Sequence, residues 1–297
     1  MKFVTFAQLV RLPNVFTAVA DVVMGYVTTR AVAPGANGPP DVAGHLLLLV
    51  GTSVCIYWAG MVLNDVFDID VDRQERPERP IPSGRVGLDQ ARRIGFLLLG
   101  AGMALGWLSS LVIGGLRSGA VATLLGAAVL LYDCVLKRTS LAPLAMGSCR
   151  GLNVLLGMSV AAGPWVLWQG LVATGLGTYV VGVTWFARTE ARTSRRAGLA
   201  GGTVVLLAGI SLLAWLPAWR PVRVTPHGWT LFWSMISVVI GWRCLRAVVV
   251  PEPWAVQTAV RTAIQSLIVL DAALCLAIRG PQWAIAVLTL LVPSMWL

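Results

Sequence analysis

The chain has 297 residues, 57% of them hydrophobic and 12% charged, and a formal net charge of +10. That balance excludes an ordinary soluble domain. The positive charge argues against nucleic acid as a partner, because it collects in alternate connections between apolar runs.

A bilayer crossing needs about 20 apolar residues. Ten runs qualify as candidates: 12–30, 42–64, 90–114, 118–136, 141–162, 166–187, 197–217, 228–250, 256–278 and a short last one at 282–297. The first run contains Asp21, lacks a small-residue cleavage site and is followed by further spans, so it does not read as a signal peptide. The ninth carries Gln257, Arg261, Gln265 and Asp271, which predicts a half-buried or tilted helix. The expected class is an all-α, polytopic membrane protein, with 1–297 as one transmembrane domain.

With the N-terminus on the cytoplasmic side, seventeen Lys and Arg fall in inner loops and helix ends. The outer side then holds five: Arg30, Arg117, Arg220, Arg223 and Arg279. This asymmetry fixes the orientation. The expected location is a bacterial inner membrane, with membrane lipids as neighbours. The five cysteines form no CxxC pair and read as buried, reduced thiols. Trp165, Trp168, Trp219, Trp229, Trp283 and Trp296 fall near span ends and read as interface anchors.

The end of the second span reads Asn64-Asp65-Val66-Phe67-Asp68-Ile69-Asp70-Val71-Asp72. At roughly 100° per helical residue, Asn64, Asp65, Asp68 and Asp72 share one face and Asp70 points away. Acidic oxygens at a membrane edge suit a hard cation such as Mg²⁺, and such a cation holds phosphates. Asn64, Asp65, Asp68 and Asp72 are therefore the candidate metal ligands. The inner loop that follows contains Pro77, Pro80, Pro82 and Gly84, so the helix must stop by Arg76. Arg76 and Arg79 are candidates for the phosphate oxygens.

The fourth span ends in Tyr132-Asp133-Cys134-Val135-Leu136-Lys137-Arg138 on the same side. Lys137 and Arg138 can hold a diphosphate from across the acid face, and Tyr132 can donate to a leaving oxygen. Asp133 can join the metal site or pair with Arg138. Within the membrane, Asn14, Asp21, Arg150 and Asn153 need partners. Asn14 and Asn153 are candidates for substrate contact from the first and fifth spans; helix-to-helix hydrogen bonding explains Asn153 equally well.

Asn64-Asp65-x-x-Asp68-x-x-x-Asp72, followed by Arg76, Arg79-Pro80 and Ser83-Gly84, resembles the first aspartate-rich motif of the UbiA superfamily of intramembrane prenyltransferases. Arg11-Leu12-Pro13-Asn14 and Tyr132…Lys137-Arg138 are similar to further parts of that pattern. The resemblance implies about nine transmembrane helices in a ring around a central cavity open to the cytoplasm. It implies Mg²⁺-assisted transfer of a prenyl group from its diphosphate to a small-molecule acceptor, aromatic or otherwise electron-rich. Asp65, Asp68, Asp72, Lys137 and Tyr132 would be catalytic. The family's second acidic motif is replaced here by Arg188-Thr189-Glu190-Ala191-Arg192, with Glu190 the one acid. In this respect the chain resembles the UbiA-like proteins called EboC. Glu190 and Arg188 are then substrate-binding candidates, with Arg188 and Arg192 offsetting diphosphate charge in place of a second ion. The alternative reading is a non-catalytic carrier for a prenylated or lipid-linked metabolite. A phosphatidyl-transferring enzyme needs Asp-Gly and Ala-Arg ahead of two later aspartates, and that arrangement is absent.

Overall fold

The computed structural model of the protein describes residues 3–30, 42–161, 163–188 and 195–296, and among them there is no strand. The elements in chain order are α1 (Phe3–Leu9), α2 (Leu12–Thr29), α3 (Val42–Phe67), α4 (Ile69–Glu75), α5 (Leu88–Ile113), α6 (Arg117–Cys134) and α7 (Ala142–Gly157). There follow α8 (Leu167–Ala187), α9 (Arg196–Ala214), α10 (Pro226–Val249), α11 (Pro253–Arg279), α12 (Pro281–Leu288) and α13 (Leu291–Trp296). Seven of these are long and apolar enough to cross a membrane: α3, α5, α6, α8, α9, α10 and α11. The remaining two long helices, α2 and α7, carry Asp21 and Arg150 and face each other, which lowers their apolar character without moving them to the surface.

The tenth apolar run is not one helix. It breaks between α12 and α13 at Thr289-Leu290. Pro293 lies four residues beyond Thr289, where its ring clashes with the carbonyl it would otherwise serve. The two short pieces together run back along α2, ending with Ser294 and Met295 beside Pro13 and Asn14. The ninth run becomes α11, whose apolar window is 67% buried, the most of the seven. Of its polar residues, Asp271 is buried and Gln265 half-buried, while Gln257 and Arg261 are exposed, so the helix is buried toward its C-terminal half and open at its start.

Helix packing uses small residues, as expected where lipid gives helices no hydrophobic reason to associate. At Gly182 of α8 an added Cβ would collide with the Leu206 backbone of α9. At Gly209 of α9 it would lie 2.5 Å from the Tyr179 amide nitrogen. The two backbones therefore touch directly. Two of the tryptophans read as anchors are core residues: Trp168 and Trp229 are 8% and 7% exposed. Trp229 Nε1 donates to the Ala214 carbonyl at 2.7 Å, which lets the indole enter the interior with its one donor satisfied. Trp165, Trp219 and Trp283 remain exposed.

A satellite core gathers the acidic end of the bundle. Leu9 and Val10 from the first turn region, Val62 and Val66 of α3, Ile81 and Val86 of the proline-rich loop, and Ala91 of α5 are all buried together. Phe6 packs edge-on to Trp58 at 5.5 Å and brings α1 onto α3. Loop backbone bonds such as Val86 N–H to the Pro80 carbonyl at 3.0 Å fold the segment back on itself. The result is a rigid platform from which the loop presents Arg79.

Candidate active site

The acid row crosses a helix break. α3 ends at Phe67, Asp68 has φ −100° and ψ 10°, and α4 begins at Ile69. The hydrogen-bond ladder nevertheless runs through it, with Asp68 N–H to the Asn64 carbonyl at 3.0 Å and Asp72 N–H to the Asp68 carbonyl at 2.8 Å. Helical phase is thus kept. Asp65 and Asp72 are buried, Asp68 is partly buried, and Asp70 is on the outside, pairing only with Arg73.

Each inward acid meets a cation. Arg79 Nη1 lies 3.1 Å from Asp65 Oδ1 and 2.7 Å from Asp72 Oδ2, so one guanidinium bridges the two. Lys137 Nζ lies 2.8 Å from Asp68 Oδ1, with Arg138 Nη2 at 3.6 Å from the same oxygen. Lys137 also donates to the Asn64 carbonyl at 3.4 Å, and Arg138 to the Phe67 carbonyl at 3.1 Å. The turn Leu136–Arg138, a single 3₁₀ turn after α6, is thereby fastened to the α3–α4 break. Arg188, at the end of α8, donates to the Thr139 carbonyl at 2.6 Å and stands beside that turn. Arg76 closes α4 and is half-buried; its side chain makes no hydrogen bond or ion pair among the described residues. Tyr132 is half-buried within electrostatic reach of Asp68 and Arg11. Glu190 and Arg192 lie outside the described residues.

Two pairings here, Arg11 with Asp65 and Asn64 with Asp133, are absent from the sequence reading. Arg11 Nη2 reaches Asp65 Oδ1 at 3.0 Å from the junction of α1 and α2. Arg11 is the only described non-glycine residue with positive φ, at 48°. Its place just before Leu12-Pro13-Asn14 is the one sequence signal it offers. The second is Asp133. It does not pair with Arg138; its Oδ1 accepts from Asn64 Nδ2 at 3.0 Å.

Two candidate substrate contacts lie away from the acid row. Asn153 sits with its amide fully used in a buried network: Nδ2 donates to Asp21 Oδ2 and to the Ala18 carbonyl, each at 2.9 Å, and Oδ1 accepts from Ser53 Oγ at 2.6 Å. Ser53 precedes Asn64 by eleven residues of α3, a distance of roughly 16 Å along the axis. Asn153 therefore ties helices together, well below the acid row. Arg150 joins the same network, with Nε 2.7 Å from Asp21 Oδ2 and further bonds to Thr17. Asp271 of α11 approaches Asp21 side chain to side chain. Asn14 faces elsewhere, lining a crevice of about 300 Å³ between α2, α11 and α13 with Gln257, Arg261 and Gln265.

Among the described residues no three His, Cys, Asp or Glu side chains converge closely enough to cage a metal ion. Cations fill the acid row instead. The donor set nonetheless suits a hard divalent ion, being carboxylate and amide oxygens. Asp133 Oδ2, beside Asn64, is buried with no hydrogen-bond partner. A buried carboxylate oxygen left so is costly, and a cation would satisfy it. The rim thus collects four carboxylates, from Asp65, Asp68, Asp72 and Asp133, against Arg11, Arg76, Arg79, Lys137, Arg138 and Arg188. The excess of cations favours a multiply charged anion.

The family model described as the UbiA prenyltransferase family matches residues 23–253. The chain is 33% identical over 196 residues to digeranylgeranylglyceryl phosphate synthase of Ignicoccus hospitalis, covering 64% of this chain and 57% of the relative. It is 36% identical over 105 residues to the protein of the same name from Methanocaldococcus jannaschii, covering 35% and 34%. The chain thus spans between about a third and a little over half the length of these curated relatives. The fold is similar to a UbiA homologue from Archaeoglobus fulgidus bound to GPP and Mg²⁺, at TM-score 0.65, 11% identity and 96% and 99% coverage. It is also similar to an apo UbiA homologue from Aeropyrum pernix, at TM-score 0.63, 18% identity and 87% and 95% coverage. At these identities the likeness concerns the fold. The chain is an integral membrane protein and belongs to the UbiA prenyltransferase family.

Proposed function

We propose that the protein transfers a prenyl group from a prenyl diphosphate to an electron-rich acceptor at the acid-lined end of the bundle. The observation that supports this reading best is the junction of Asp68 with Lys137 at 2.8 Å. It sets an acid row and a cation row face to face at one rim, which is the arrangement a metal-bound diphosphate needs.

Asn64, Asp65, Asp68 and Asp72 would hold Mg²⁺, which supplies positive charge to a diphosphate leaving group. Lys137, Arg138, Arg79 and Arg188 exchange their carboxylate or carbonyl partners for diphosphate oxygens, and Arg76, unpartnered among the described residues, joins them. As the carbon–oxygen bond breaks, the electron pair stays on the diphosphate and these cations neutralise it. Tyr132 donates a hydrogen bond at the same rim. The acceptor attacks the allylic carbon and loses a proton. Apolar helix walls retain the prenyl tail, each buried methylene contributing about 0.8 kcal/mol.

The N-terminus on the cytoplasmic side of a plasma membrane and a single domain over the whole chain belong to the same proposal. So does an EboC-like position in the family, which rests on the replaced second acidic motif. The test is turnover of a labelled prenyl diphosphate by purified protein with Mg²⁺ and a panel of acceptors, wild type against Asp68→Ala. Product from wild type and none from a folded Asp68→Ala supports transfer. Mg²⁺-dependent binding of the diphosphate without product from any acceptor overturns it in favour of a carrier.

A further inference from the structure

At the end of the bundle away from the acid row, four of the five arginines assigned to the outer side meet. They come from three different parts of the chain, Arg220 and Arg223 sharing the connection between α9 and α10. Arg279 closes α11 and donates from Nε to the Val27 carbonyl of α2 at 2.6 Å. Arg30 follows α2 and donates to Tyr26 Oη at 3.1 Å. Arg223, between α9 and α10, donates its backbone N–H to the Ala277 carbonyl at 2.7 Å. Its guanidinium reaches Gly280, where an added Cβ would lie 4.0 Å from Arg223 Nη1. Arg220 stacks on the Trp168 ring, with Cζ 4.4 Å from the ring centroid. The charges of Arg30 and Arg223 act on Arg279, and that of Arg279 acts on Arg220.

Among the described residues none of the four has an acidic partner, and of their side-chain N–H groups only those to Val27 and Tyr26 are engaged. Beyond them, the connections at this end contain one acid, Asp41. Four guanidiniums held together against at most one carboxylate repel each other, and the half-burial of Arg30, Arg220 and Arg279 makes the repulsion worse. Burial lowers the pKa of Arg220, and the charge of Arg279 lowers it further. Helix C-terminal carbonyls offset part of this cost at Arg279. They leave the outward N–H groups of Arg220 and Arg223 without a counter-charge.

We propose that this cluster is an anion site for a phosphate group at the membrane surface opposite the acid row. Guanidinium forks match phosphate oxygens in bidentate fashion. The exposed Trp165, Trp219 and Trp283 stand at the same end, the level at which indoles meet lipid headgroups. The phosphate of an anionic phospholipid is the abundant anion at that level, and a soluble phosphate is the second source with the same chemistry.

The experiment measures the melting temperature of delipidated protein in a neutral detergent with added phosphatidylglycerol, phosphatidylcholine or inorganic phosphate. Phosphatidylglycerol raises the wild-type melting temperature more than phosphatidylcholine does. The rise falls by at least half in Arg220→Gln/Arg223→Gln, and the apparent affinity for phosphatidylglycerol falls about tenfold, the equivalent of one charge-assisted hydrogen bond. Arg92→Gln/Arg93→Gln, the same charge change on the opposite side, keeps the full rise. A matching rise with inorganic phosphate assigns the site to a soluble anion, and its absence assigns the site to lipid. The proposal is overturned if neither phosphate source stabilises wild type, or if Arg220→Gln/Arg223→Gln responds as wild type does. Should that double variant fail to fold, Arg223→Gln alone carries the comparison, since the Arg223 side chain is exposed and bonded to nothing described.

Discussion

Lys137 Nζ lies 2.8 Å from Asp68 Oδ1, joining the turn after α6 to the break between α3 and α4 across 69 residues of chain. Both side chains are partly buried, at 9% and 25% exposure, so the pair is neither screened surface charge nor sealed core. It is placed to open when a stronger anion arrives. Lys137→Met should leave the fold intact and lower kcat by about 10²- to 10³-fold, the usual loss for one group that stabilises developing charge. Single-turnover kinetics with a labelled prenyl diphosphate checks this. A change confined to KM would show that Lys137 binds substrate and transition state equally.

Arg79 bridges Asp65 and Asp72, and the two carboxylates repel each other when it is absent. Removing one partner of a buried pair typically costs about 3–5 kcal/mol. Arg79 is 19% exposed, so the lower end of that range applies. Arg79→Ala should lower the melting temperature in detergent even without substrate, and Arg79→Lys should recover part of it. In contrast, Arg76→Ala should leave stability unchanged and weaken prenyl diphosphate binding, since Arg76 has no partner among the described residues.

The network of Asp21, Arg150 and Asn153 joins α2 to α7 in the middle of the bundle. Arg150→Met removes the guanidinium facing two acids, Asp21 and Asp271. We expect severe loss of folded protein by size-exclusion chromatography, of about 3–5 kcal/mol where it can be measured. Adding Asp21→Asn to Arg150→Met should restore part of that stability, because one uncompensated acid is gone. Equal behaviour of the single and double variants would show that the network contributes packing and not charge.

Much of this was legible in the residues. Asn64, Asp65, Asp68 and Asp72 share a face because a 3.6-residue period is enough to place them, and a one-residue break at Asp68 does not shift that phase. The proline positions in the 77–82 loop stop α4 where expected. Pairings between distant residues were not legible. Nothing local joins Arg11 to Asp65, Asn64 to Asp133 or Asp21 to Asp271, because each contact depends on how helices pack and not on their own sequence. Asn153 shows the limit most clearly: an amide within a span serves a cavity or a neighbouring helix equally well until the neighbour's backbone carbonyl is in view. The break at Thr289 does not follow from the apolar count of 282–297, and Pro293 is the local residue that accounts for it.

Metal dependence gives a separate test. With three acids already matched by cations, Mg²⁺ alone should bind weakly, and a prenyl diphosphate alone should also bind weakly. Together they should bind cooperatively, each supplying the charge the other displaces. A nonhydrolysable prenyl thiodiphosphate should therefore raise the melting temperature strongly with Mg²⁺ and little after EDTA treatment. Equal stabilisation under both conditions would assign diphosphate recognition to the arginines and lysine alone.

Arg11 holds a left-handed backbone, φ 48° and ψ 55°, while its guanidinium grips Asp65. Such a conformation costs a side-chain-bearing residue about 1–2 kcal/mol and persists only while something secures it. Its anchor is a carboxylate that the proposed reaction would recruit for another ion. The turn before α2 is therefore sprung: loosening at Asp65 would let the Arg11 backbone relax while Leu9 and Val10 keep α1 docked, and a fluorophore placed beside that turn would report, from outside the pocket, each time the acid changes partner.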